Sequence, residues 1–180
     1  MPTIQTYPAH DLPEPLARAA IALKQRVWPS DQTETNLYAE FLDRHRQRPD
    51  RYVILAMADD TLLAHAEVFT RELVCDGDTL RVGCLAGVCV LPERRGEGLG
   101  RRVVEAALAA SHGDGLPVVL FQTGVPEFYR KLGAERVHNR FIDSLAASLD
   151  ANPWWDEHVM IHPGDHPWPR GTVDLRGGAF

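Results

Sequence analysis

Val88-Cys89-Val90-Leu91-Pro92-Glu93-Arg94-Arg95-Gly96-Glu97-Gly98-Leu99-Gly100-Arg101-Arg102 is the stretch that decides the fold. It opens as an apolar run that Pro92 ends, and three glycines follow at 96, 98 and 100. Beyond them Leu99, Val103, Ala106, Ala107 and Ala110 recur at helical spacing. A buried strand thus runs into a glycine-rich turn, and the turn opens a helix. Backbone N–H groups of residues 95–100 would point outward there, where orphan donors and the positive end of the helix dipole coincide, so the turn reads as an anion site. Glycine lets an anion approach the backbone closely. The plainer alternative is a strand-to-helix turn with solvated arginines, in which Glu97, Arg101 and Glu105 pair at spacing four on an exposed face. Two other phosphate motifs fit poorly. A Lys-Ser/Thr pair is missing, and the glycine spacing is GxGxG rather than GxGxxG.

Working outward, Asp11-Leu12-Pro13-Glu14 reads as a helix start capped by Asp11, with Leu16, Ala19, Ala20 and Leu23 on one face. Thr35 is expected to cap a second helix, bearing Leu37, Phe41 and Leu42, that Pro49 ends. Three strands follow over 52–58, 62–74 and 79–90, turned at Asp59-Asp60 and Asp76-Gly77-Asp78. The third is apolar on both faces, which marks a central strand, and its Gly83 and Gly87 point to a bulge or a close backbone approach. After the helix, Leu116 to Phe121 reads as a short buried strand. Strand, helix and strand in that order predict a crossover to a parallel neighbour. Pro126 to Lys131 starts a short helix closed by Gly133, and residues 159–161 and 172–175 read as two further strands.

The chain has 180 residues with Lys+Arg 19 against Asp+Glu 25, a net charge of −6. The length suits one domain over residues 1–180, and the acidic balance argues against nucleic acid or a membrane surface as partner. Three cysteines, at 75, 84 and 89, make no disulfide framework. With no apolar run long enough to span a bilayer and no leader pattern, a cytoplasmic protein is expected. His162-Pro163-Gly164-Asp165-His166 carries two imidazoles, but prolines and glycine exclude a helical metal site, so no metal is expected.

Arg95-Gly96-Glu97-Gly98-Leu99-Gly100 resembles the pyrophosphate loop of the GNAT superfamily of N-acetyltransferases. Phe128-Tyr129-Arg130-Lys131-Leu132-Gly133-Ala134, about 30 residues on, is similar to that family's Phe-Tyr element. His65-Ala66-Glu67-Val68, Arg71-Glu72-Leu73, the strand from Gly83 to Val90, and the ending through Trp168-Pro169 to Phe180 resemble the aminoglycoside 2′-N-acetyltransferase branch and its nodulation-acyltransferase relatives. That branch has a glutamate where this chain has Ala86, and an acid near its terminal aromatic where this chain has Gly178 and Ala179.

The resemblance implies an α/β fold with a mixed, strongly bent sheet of about seven strands flanked by helices around a β-α-β acyl-CoA-binding core. It implies acetyl-CoA as co-substrate, held by Arg95, Gly96, Glu97, Gly98, Leu99, Gly100 and Arg101. Arg94 and Arg102 are further candidates to screen its phosphates. The pantetheine arm would pair with Val88, Cys89 and Val90 where the two parallel strands splay, and an N–H near Cys89 or Val90 would polarise the thioester carbonyl. Tyr129 matches the family's general acid. Glu67, on the neighbouring strand, is the candidate base, with His65 behind it. The expected acceptor is a small molecule with one amine and a sizeable apolar part, met by Phe180, Trp154, Trp155 and Trp168. A homodimer is left open, and the alternative function is an acyl-CoA-binding module without catalysis.

Overall fold

The computed structural model of the chain describes residues 1–46 and 50–180, so the expected helix stop at Pro49 lies outside the described residues. Two compact units result, Met1–Phe69 with Ala86–Ala110, and Thr70–Leu85 with Ser111–Phe180. The fold is mixed α/β.

In the first unit β1 (Thr3–Pro8) pairs antiparallel with β2 (Tyr52–Ala58), from Thr3↔Met57 to Pro8↔Tyr52. β2 in turn pairs antiparallel with β3 (Thr61–Cys75), and the register slips at Ala56/Met57. Asp59 makes the tight turn between them at φ 49°. The end of β4 (Asp78–Val90) runs beside β3, and Leu91 N–H donates to Leu63 O at 2.8 Å just beyond it. Helices α1 (Glu14–Val27), α2 (Glu34–Arg46) and α3 (Leu99–Gly113) complete the unit. The apolar face of α1 packs Ala20 and Leu23 against Val53, Leu55, Met57, Leu62 and Cys89. Ala17 and Ile21 of α1 meet Phe41 of α2. Each fully buried Leu or Ile of this kind stabilises by about 1.5–3 kcal/mol, which is what fixes α1 on the strands.

In the second unit β4 pairs parallel with β5 (Val119–Thr123) at Gly83↔Val119 and Cys84↔Leu120. Gly83 lets the two strands and Ser111 approach closely: a Cβ there would lie 2.1 Å from Ser111 Oγ and 3.0 Å from Val119 Cγ2, so a larger residue has to displace them. Short helix α4 (Pro126–Arg130) follows β5, and Gly133 closes it at φ 88°. The strands β6 (Glu135–Arg136) and β7 (Phe141–Ile142) come next, then β8 (His158–His162) and β9 (Val173–Asp174). β8 runs antiparallel to β5 along all five residues and also takes β6. β9 joins Val74 and Cys75 of β3 to β7.

Several expectations are corrected. Asp11 does not cap α1; Ala9–Asp11 forms a 3₁₀ turn, and α1 follows Pro13 without a side-chain cap. Thr33, not Thr35, heads α2, with its hydroxyl accepting from Asn36 N–H at 3.3 Å. β5 begins at Val119 rather than Leu116, since Pro117 has no N–H for a ladder. The chain makes nine strands among the described residues, and β1, β6 and β7 are additions to the sequence reading. β6 and β7 are two residues long, too short to show a period.

Candidate functional site

The glycine-rich turn lies in the first unit. Pro92–Arg94 make one 3₁₀ turn, with Arg94 N–H bonded to Leu91 O at 2.8 Å. Gly96 and Gly98 take φ of 85° and 76°. No heavy atom lies within 4 Å of where a Cβ would stand on either. Conformation therefore demands glycine here, and the backbone is left open to solvent. Leu99 is buried and anchors the start of α3. The first helical bond closes from Arg102 N–H to Gly98 O at 3.2 Å, so the N–H groups of Leu99, Gly100 and Arg101 precede it.

The arginines divide by partner. Arg94 forks onto Glu97 at 2.6 and 2.7 Å, and this bond holds the Glu97 carboxyl below the usual carboxylate range. Arg101 bonds Glu105 at 2.7 Å, and Arg102 donates to Pro2 O at 2.9 Å. Arg95 is exposed and makes no such bond among the described residues.

On β4, Gly87 adopts φ 59°, and its carbonyl lies 2.8 Å from His65 Nδ1. Ala86, Gly87 and Val88 are half-buried where Val82 to Leu85 are buried, so the strand's alternation breaks at this point. Val90 is also half-buried. Cys89 is buried, and burial pushes its thiol up to about 12; Glu67 adds to the shift, while Lys24 and Arg95 oppose it. Such a group stays a thiol at neutral pH and is no nucleophile. None of the three cysteines forms a disulfide.

Glu67 stands at the centre of a buried charge cluster. Lys24 Nζ bonds its Oε1, Arg51 donates to its Oε2 at 2.5 Å, and His65 Nε2 lies 3.4 Å from Oε1. The Arg51 guanidinium also stacks on Phe69, 4.1 Å from the ring centre. A Cβ on Gly87 would touch both His65 Cε1 and Lys24 Cε at 3.3 Å, which places the cluster directly against the bend in β4. Lys24 also lines a cleft of about 100 Å³ with Ile21, Trp28, Leu37, Phe41 and Arg44. The sequence reading missed Lys24 and Arg51. The available signal was a lone lysine four residues after Ala20 on an otherwise apolar helix face.

Tyr129 lies in the second unit, on α4. It is 6% exposed, and its ring contacts Phe121 and Phe128 at centroid distances of 4.5 and 4.8 Å. Burial drives the phenol well above its ordinary value, with Asp156 adding to the effect. Its hydroxyl makes no hydrogen bond among the described residues. The expected aromatic acceptor wall is divided. Trp154 is buried edge-on to Phe141 and Phe180, the latter at 5.0 Å. Trp155 is 72% exposed. Trp168 Nε1 is tied to Asn139 Oδ1 at 2.7 Å and lines a different cleft with Arg136, His138 and Arg170. Phe180 also carries the Arg71 guanidinium over its ring, 4.9 Å from the centre. Among the described residues, no group of three or more His, Cys, Asp or Glu is placed to hold a metal, and no helix is long and apolar enough to cross a membrane.

Residues 11–137 match the family model of an acetyltransferase (GNAT) domain. A GNAT family N-acetyltransferase, YhbS, from Escherichia coli, solved in complex with CoA, superimposes with a TM-score of 0.64 at 19% identity, over 97% of this chain and 89% of that one. Glucosamine-6-phosphate N-acetyltransferase from Arabidopsis thaliana gives 0.62 at 17% identity, over 80% and 99%. A GCN5-related N-acetyltransferase from Kribbella flavida gives 0.60 at 19% identity over 75% of this chain, which spans only 33% of that protein. These likenesses show a shared fold. A search of the curated proteins found no match.

Proposed function

The chain belongs to the GNAT acetyltransferase family, and from that premise we propose that it moves an acetyl group from acetyl-CoA to the primary amine of a small molecule. The observation that carries this reading is the turn at Gly96 and Gly98, with positive φ, open backbone and a helix start behind it. Those features fit a pyrophosphate. The N–H groups of residues 96–101 would hold it, and Arg95, exposed, near Glu93 and with no side-chain hydrogen bond or ion pair among the described residues, supplies the counter-charge. Acetyl-CoA contributes an activated thioester.

The chain's own groups do the rest. Val88, Cys89 and Val90 offer backbone groups beside the bend at Gly87, and an N–H there polarises a carbonyl. Tyr129, like any phenol, keeps its proton at neutral pH, burial raises its value further, and in this reading it is the donor to a leaving thiolate. Glu67 takes the amine's proton in this reading, through Lys24 or an intervening water, since both of its oxygens are already engaged. The resemblance of residues 65–68 and 83–90 to the aminoglycoside 2′-N-acetyltransferase branch supports a small-molecule acceptor. Ala86 and the ending Gly178-Ala179-Phe180 lower the acidic charge available to a polycation, which supports an acceptor with one amine and an apolar body.

Calorimetry with CoA tests the cofactor reading. Wild type should bind, and Gly98→Asp should not, because it adds a like charge and strains a position at φ 76°. Wild-type affinity in that variant places the site elsewhere. Thiol release across a panel of amines then separates an enzyme from a binding module without catalysis.

A further inference from the structure

Lys24 has surroundings besides Glu67. It lines the cleft of about 100 Å³ between α1 and α2, and so does Arg44, while no acid lines it among the described residues. The walls are apolar. Lys24 and Trp28 stand four residues apart on one face, and the bond from Trp28 N–H to Lys24 O at 2.7 Å fixes that spacing. Leu37, Phe41 and Arg44 follow one another at spacings of four and three along α2. Trp28 is 52% exposed, an aromatic wall left open to solvent. The rim is pre-formed, because Gln25 Oε1 accepts from Ser30 N–H at 2.9 Å and holds the turn after α1. The charge is unbalanced as well. Lys24 and Arg51 bring two positive charges to Glu67, the only carboxylate paired with either among the described residues. His65 adds no negative charge in any protonation state. An ammonium has three N–H donors, and Glu67 engages one of those on Lys24. A partly buried excess of positive charge attracts an anion, and the Lys24 side chain, 25% exposed, presents that excess to the cleft.

We propose that this cleft takes a carboxylate together with the apolar body that bears it, so that the acceptor class is an amino acid with an apolar side chain. Lys24 and Arg44 hold the carboxylate, and Ile21, Trp28, Leu37 and Phe41 cover the side chain. Lys24 also sets the position. Its Nζ is 3.4 Å from where a Cβ on Gly87 would stand, so one residue touches both the cleft and the bend of β4. Amine and carboxylate share one carbon in an amino acid. A carboxylate on Lys24 therefore leaves the amine beside that bend, next to the Glu67 cluster. Two cations with no acid in the same wall disfavour a polycation, and a plain alkylamine gains nothing from them. The acetylation of the amine rests on the acetyl-transfer reading above, whereas the anion site does not.

The test uses the full chain, titrated calorimetrically with two non-reactive probes of one shape, phenylpropionate and phenylpropanol. The acid should bind at least ~10-fold more tightly than the alcohol, the scale of one charge-assisted hydrogen bond. Arg44 is exposed, so Arg44→Gln leaves the core intact; it should remove most of that ratio and leave the alcohol unchanged. Saturating CoA should not displace the acid. Equal affinity for acid and alcohol, an unchanged ratio in Arg44→Gln, or displacement by CoA overturns the site. Thiol release from acetyl-CoA then compares phenylalanine with phenethylamine. The kcat/KM ratio should favour the amino acid and fall in Arg44→Gln. Turnover of phenethylamine with no preference for phenylalanine keeps acetyl transfer and overturns the site. Tight binding of the acid with no turnover of any amine keeps the anion site and overturns acetyl transfer.

Discussion

Glu67 and Tyr129 are buried to almost the same degree, 4% and 6% exposed, and live in opposite surroundings. Glu67 is ringed by Lys24, Arg51 and His65. Tyr129 is ringed by Phe121 and Phe128, and its hydroxyl has no hydrogen-bond partner among the described residues. The difference follows from charge. A carboxylate can be taken out of water only if counter-charges come with it, so Glu67 is built into a lattice whose members hold one another in place. A neutral phenol needs no such lattice: it holds its proton at neutral pH even in water, and burial with Asp156 nearby only raises its value further. One residue is thus expected to matter to folding at least as much as to chemistry, and the other to chemistry alone.

Tyr129→Phe gives the largest expected effect. Turnover should fall ~10²–10⁴-fold, the range for a positioned acid, with CoA affinity unchanged. Stability in urea should move by no more than about 0.5 kcal/mol, because no hydrogen bond is lost. An unchanged rate across the pH profile would reduce Tyr129 to a packing residue and erase the contrast. Glu67→Ala should act on stability as well as on rate and destabilise by about 3–5 kcal/mol, since it leaves Arg51 buried without its carboxylate partner. A change in urea midpoint worth under about 1 kcal/mol would mean that the cluster relaxes freely.

Gly87→Ala is the next step down. It forces φ 59° on a residue with a side chain and presses on His65 and Lys24 at 3.3 Å. A loss of about 1–3 kcal/mol is expected from thermal unfolding. The smallest effect is an alkaline limb in stability. Cys89 and Tyr129 both have raised values in the folded chain. Below their ordinary values both states hold the protons and this contribution is complete. As pH rises past 9.0, the ordinary thiol value, the unfolded chain ionises first and stability drains away towards about 12. Tyr129→Phe should shorten the part of that limb that begins near pH 10, where a phenol ordinarily ionises.

The strand, turn and helix around Gly96 and Gly98 were legible because their causes are local. Positive φ, a proline stop and helical spacing are properties of neighbours in sequence, and 88–102 carries all three. The turn at Asp76-Gly77, with φ 51° and 91°, was legible for the same reason. Helix starts were less so, because Asp11 and Thr35 have the right chemistry but the chain entered each helix two or three residues away. What the sequence alone determined, then, is the order of the long helices and of six of the nine strands among the described residues, the glycine turn that opens α3, and the family. Only tertiary structure decided which charges meet. Lys24, Arg51 and Glu67 come from a helix, a loop and a strand, and Lys24 and Arg44 reach one cleft from two helices. Such contacts depend on how strands register and helices pack, and no period or spacing within one segment encodes them.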